Sequence, residues 1–116
     1  MNVRSSVLVI VACLSSFMPV AHAQGEALPP GVIRAGSLAN HQLIIDIKVG
    51  VAAKVAAKGC SKRDSLEQFV VAMPSGKVGS RRWKERWMVT GCGQQYPIDI
   101  DFIEDGPDAA NWTIAK

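Results

Sequence analysis

Residues 82–103 read RWKERWMVTGCGQQYPIDIDFI, two runs of alternating apolar and polar side chains about a glycine-rich break. Successive side chains of a strand point to opposite faces, so Trp83, Glu85, Trp87 and Val89 fall on one side and Lys84, Arg86 and Met88 on the other. After Gly91-Cys92-Gly93 the pattern resumes over 96–103, with Tyr96, Ile98, Ile100 and Phe102 on one face and Asp99 and Asp101 on the other. Two such runs joined by a glycine-flanked turn predict an antiparallel hairpin. If the turn spans Gly91 to Gln94, Arg86 stands opposite Asp99 and Lys84 opposite Asp101, pairs that stabilise a sheet by a few tenths to about 1 kcal/mol each.

Before this hairpin, Glu67 to Met73 is the preceding strand, with Phe69, Val71 and Met73 on one face, and Pro74-Ser75-Gly76 and Gly79-Ser80 bound the loop after it. Asp105-Gly106-Pro107 turns the chain into a short last strand around Trp112 and Ile114. Strands apolar on one face and polar on the other belong to an antiparallel sheet solvated on one side. The cover for its apolar side is the segment from Leu38 to Lys58, which stops at Gly59 and carries Lys54 and Lys58 in its last turn, as helix ends do. On a helical wheel Ile44, Ile45, Val49, Val51, Ala52, Val55 and Ala56 form the core-facing side and Gln42, Asp46, Gly50, Lys54 and Lys58 the other. Ile45-Asp46-Ile47-Lys48-Val49 also alternates as a strand would, so the alternative is a strand over 43–49 followed by a helix from 51. The doubled Val-Ala-Ala-Lys of 51–58 is helix-forming composition rather than a repeat architecture. The expectation is one α+β domain over 38–116, an amphipathic helix on an antiparallel meander of about four strands.

The N-terminus reads as an export signal: a cationic start at Arg4, an apolar run from Val7 to Val20, and the small-residue triplet Ala21-His22-Ala23, with cleavage after Ala23. The apolar run, broken by Ser15, Ser16 and Pro19, falls short of the about 20 apolar residues a membrane span needs. Ile10-Val11-Ala12-Cys13 offers a rival processing site, a lipoprotein box with acylation at Cys13. Residues 24–37, with Pro29-Pro30-Gly31, form a flexible leader or a surface strap. Cleavage leaves 93 residues, near the lower end of what a core stabilises unaided. Cys60 and Cys92 survive maturation, and an even pair in an oxidising compartment reads as a disulfide, the alternative being two buried thiols. Closing that loop stabilises a chain by roughly 3.5 to 4 kcal/mol in the chain-entropy account. No Cys-x-x-Cys is present to support a redox role.

The formal charge of +3 is too small to imply a nucleic-acid partner, but its distribution is bipolar, with eleven Lys and Arg against five acids over 24–92 and five acids against Lys116 alone over 93–116. Internal pairing and an external partner both fit. His41 is the one histidine left after cleavage and both remaining cysteines are committed, so a zinc site lacks its ligands; a Ser-His-Asp triad would need His41 as its base, and nothing places a serine in a nucleophile turn around it; no glycine-rich phosphate loop opens a helix, and no cofactor is implied. The candidate binding surface is Arg81, Arg82, Trp83, Glu85 and Trp87: the indoles as a stacking platform for a sugar or peptide or as core packing, Glu85 as an acid buried between the rings, as the partner of a cation or as a cap on a backbone group, Arg81 and Arg82 as cations with no internal partner.

Cys60, Gly79-Ser80-Arg81, Trp83-x-Glu85-x-Trp87, Cys92-Gly93, the 96–102 alternation and Trp112-Thr113-Ile114 together resemble small exported proteins of proteobacteria that carry no assigned activity. The resemblance implies envelope localisation and a disulfide, and transfers no catalytic residue. The reading is thus an exported, periplasmic or secreted, non-enzymatic module that binds a protein or surface partner; the alternatives are an inhibitor or immunity-type partner of a hydrolase, with the Cys92 turn inserted, and a glycan or peptidoglycan binder using Trp83 and Trp87. Mass spectrometry of the protein recovered from periplasm should show an N-terminus at Gln24 and a mass two hydrogens below the reduced form. A lipid on Cys13, or two alkylatable thiols, would contradict it.

Overall fold

The computed structural model describes residues 27–116, so the export signal expected over 1–23, with Cys13, lies outside the described residues. The chain runs β1 (Arg34–Ala35), α1 (His41–Ala57), β2 (Arg63–Ser75), β3 (Arg82–Gly91), β4 (Gln94–Glu104) and β5 (Ala110–Ile114). The five strands form one antiparallel sheet in chain order, and α1 lies on one face: an α+β domain with one strand more than expected, because Arg34–Ala35 of the leader pairs with β2 at Val70 and Phe69.

The β3–β4 register is the anticipated one. Gly91 pairs with Gln94 across a two-residue loop, placing Arg86 opposite Asp99 and Lys84 opposite Asp101. Cys92 and Gly93 take φ of 53° and 73°, the left-handed pair that matches the twist of a tight hairpin. Cys92 is bonded to Cys60 just past the helix, tying helix end to hairpin turn. Gly91 is required beside that bond, since a Cβ there would stand 2.5 Å from the Lys62 carbonyl oxygen and 3.2 Å from the Cys60 sulfur.

β2 departs from simple alternation. Val70, opposite Glu85, is the fully buried residue on the helix side, while Phe69 pairs with Arg86 on the other face. The register slips between Val70 and Ala72, so Phe69 and Ala72 both meet residues of the open face, Arg86 and Lys84; the expected grouping of Phe69, Val71 and Met73 fails at this bulge. The strap Pro29–Val32 lies beside Arg86 and lines one concavity together with Phe69.

β5 pairs with Ile100–Glu104, and among the described residues no strand pairs with the Gln94–Ile98 half of that β4 edge. The Asp99 carbonyl accepts from the Ala115 N–H, so backbone groups at odd positions of β4 point to that edge. Pro97 therefore stands where an N–H would otherwise be offered to another strand, a common protection of open edges.

Residues 43–49 are helix, not strand. Asn40 caps α1, its side chain accepting from the Leu43 N–H. The face turned to the sheet is Ile47, Val51 and Val55, all buried, with Leu43 and Ile44 beside them. This corrects the wheel: Ile45 and Val49 are 44% and 69% exposed, Ala56 is exposed, and Gly50 is turned inward against the Trp112 indole. The cause is composition, because apolar residues lie all round this helix and the polar few do not mark one side. The core is completed by Trp83, Trp87, Val89, Ile98, Ile100 and Phe102.

Gly50→Ala separates helix propensity from packing. Alanine favours a free helix by about 1 kcal/mol, but its Cβ would stand 2.7 Å from the Trp112 ring. The substitution should lower the melting temperature, and Ile47→Ala should cost about 2 to 5 kcal/mol in a denaturant titration, whereas Ile45→Ala should cost little. An exchange of those last two costs would reverse the face assignment.

Candidate functional site

Strand alternation sends Trp83, Glu85 and Trp87 to the helix side of β3, where all three are buried. Glu85 is fully buried, and its two oxygens accept three hydrogen bonds: one oxygen takes the Trp83 indole N–H and the Leu38 backbone N–H, the other the Trp87 indole N–H, each at 2.8 Å. A buried carboxylate is tolerated only when its lone pairs are met, and hydrogen bonds to such a group are among the stronger ones. The two Trp residues supply the donors at i−2 and i+2, the spacing that one strand face allows. The Trp83 ring also stacks on Phe102, centroids 4.5 Å apart. Glu85 thus caps a backbone group, with Trp87 fully buried and Trp83 nearly so.

On the other face, Arg86 grips Asp99 through Nε at 2.7 Å and a terminal nitrogen at 3.1 Å, and Lys84 reaches Asp101 at 3.5 Å. The hydrogen bonds from Arg86 hold the Asp99 carboxyl below its ordinary value. Arg81 is not free, contrary to expectation. Its guanidinium makes three hydrogen bonds to Glu104, and the backbone N–H groups of Gly79 and Arg81 donate to the same carboxylate. These contacts, led by the Arg81 side chain, pull the Glu104 carboxyl down to about 2. Sequence reasoning missed Glu104, yet the signal was present: the register that sets Arg86 against Asp99, carried five residues along, sets Arg81 against Glu104. Of the predicted surface only Arg82 remains exposed without an ion-pair partner among the described residues.

The predicted site residues are thus dispersed: three in the core, one in a loop brace, one at the surface. A concavity of about 600 Å³ wraps the uncovered β4 edge between the Pro29–Pro30 strap and Lys54 and Lys58 of α1, with the Arg86–Asp99 pair in its wall. Among the described residues no three of His, Cys, Asp and Glu are grouped to hold a metal ion. What the surface does offer is the outer side of α1, where Ile45, Val49, Ala53 and Ala56 run along the helix at three- and four-residue spacing, all exposed. Exposed apolar residues in contiguous runs, unlike single ones, mark contact surfaces.

No family model matches the chain, and neither a curated protein nor a solved structure shows significant similarity to it.

Glu104 gives a pH test. Its folded value of about 2 lies below the ordinary 4.5, so its stabilisation is complete above about 4.5 and is lost as pH falls through about 2. Glu104→Gln should lower the melting temperature at pH 7, and the gap from the unmodified protein should narrow as pH falls from 5 toward 2. A gap independent of pH would mean that the charge on Glu104 does not hold the loop.

Proposed function

We propose that this chain is exported to the cell envelope and acts there by binding a protein partner, without catalysis of its own. The observation that carries the reading is the outer face of α1. A helix apolar on both sides is normally covered on both sides, whereas a helix lying on one sheet needs only one apolar stripe. Here the second stripe, centred on Val49, is left in solvent. Apolar side chains held in water on a rigid element favour association, since little ordering remains to oppose it. The Cys60–Cys92 bond supports an oxidising compartment, and the resemblance to small exported proteobacterial proteins points the same way.

The inhibitor reading keeps one observation in its favour: the exposed Cys92-Gly93 turn is fixed by its bond to Cys60 and would enter a partner without losing conformational freedom. The glycan reading loses its platform, since Trp83 and Trp87 face the helix.

Val49→Asp tests the reading. Because Val49 stands in solvent, the change should alter stability by only about 0.5 kcal/mol. It should abolish the adducts that a photoreactive side chain at position 53 forms in intact cells. Adducts unchanged by Val49→Asp, but lost when the Cys92-Gly93 turn is altered, would move the binding surface to that turn.

A further inference from the structure

Resting on the reading of α1 as a protein-binding face, we infer that its occupant is a second copy of this chain, joined helix to helix with the two α1 segments parallel. The flanks of the stripe carry the argument. Going round α1, Asp46 borders the Ile45–Val49–Ala53–Ala56 stripe on one side and Lys48 borders it on the other. They are two residues apart and so differ in height by only about 3 Å. Asp46 accepts a hydrogen bond from the Gln42 amide one turn earlier, and neither Asp46 nor Lys48 has an ion-pair partner among the described residues.

A two-fold axis parallel to the helices brings opposite flanks together. Lys48 of each copy then lies beside Asp46 of the other, twice over, as charged flanks do in parallel coiled coils. A two-fold axis perpendicular to the helices pairs like flanks instead, so that neither Lys48 nor Asp46 meets an opposite charge on the other copy. Charge therefore selects the parallel arrangement. Ala53 and Ala56 keep one end of the stripe low, so the helix axes can approach toward the short end of the usual 8 to 10 Å spacing, while Ile45 and Val49 supply the apolar knobs.

The stripe covers only part of the roughly 800 Å² per partner that a stable complex uses, so the association is weak and depends on concentration.

Sedimentation equilibrium of the mature protein up to about 1 mM, where weak pairs assemble, provides the test. The unmodified chain should show a monomer–dimer equilibrium, and Val49→Asp, checked as folded by its melting curve, should weaken it by roughly tenfold or more. Lys48→Asp alone and Asp46→Lys alone should each weaken it, and the double exchange should restore it, since the opposite charges then face each other again. A chain that stays monomeric, a dimer indifferent to Val49→Asp, or a double exchange that restores nothing would each overturn the inference. Should the chain stay monomeric while Val49→Asp still abolishes adducts with a different protein, the second-copy inference falls and the protein-binding reading stands. Val49-dependent binding of the monomer to phosphatidylglycerol vesicles would overturn both in favour of a membrane surface.

Discussion

The carboxyl group of Glu85 ties the central strand to the entry of the helix. One side chain in the middle of the central strand accepts from Trp83 and Trp87 of its own strand and from the Leu38 backbone, 47 residues away in sequence. The contact with Leu38 fixes where the chain leaves β1 and where α1 begins, two residues before the Asn40 cap. Once the start of a helix is fixed, its rotation is fixed too, and Ile47, Val51 and Val55 are delivered to the sheet. The far end is held by the Cys60–Cys92 bond. The helix is thus pinned at its entry by hydrogen bonds and at its exit by a covalent bond, and packing against Trp87 and Ile100 fills the space between.

Pinning of this kind explains how α1 keeps one orientation although its composition does not choose one. Burying Ile45 and Val49 in place of Ile47 and Val51 would remove comparable apolar area from water, so the hydrophobic effect alone leaves the two rotations nearly balanced. The Asn40 cap, the Leu38 hydrogen bond and the close fit of Gly50 under Trp112 break the tie. What they leave outside is the apolar stripe on which the proposed function rests.

The hairpin of β3 and β4 was legible in the sequence down to the pairing of single residues, because period-two alternation and a glycine-flanked turn leave one register free of conflict. The same register extended to Arg81 would have revealed the Glu104 brace. The helix was legible as a helix but not in its rotation, since the deciding contacts come from Leu38, Glu85 and Trp112, which no local pattern connects. The Val70–Ala72 bulge escaped notice for a related reason: Phe69, Val70 and Val71 are all apolar, and only pairing with β3 shows which side each one takes. Trp83-x-Glu85-x-Trp87, a candidate binding surface by sequence, is the interior of the molecule, because burial against the helix is not visible in a single strand.

Glu85 holds three protons as a unit, a statement that hydrogen exchange followed by NMR can check. The indole protons of Trp83 and Trp87 and the Leu38 amide should exchange together, as slowly as the most protected amides of β3, because releasing any one of them requires opening the sheet from the helix. The contradicting result is a Leu38 amide that exchanges as fast as the strap at 29–33 while both indoles stay protected; the entry to α1 would then be held by its cap alone, and Glu85 would organise only its own strand.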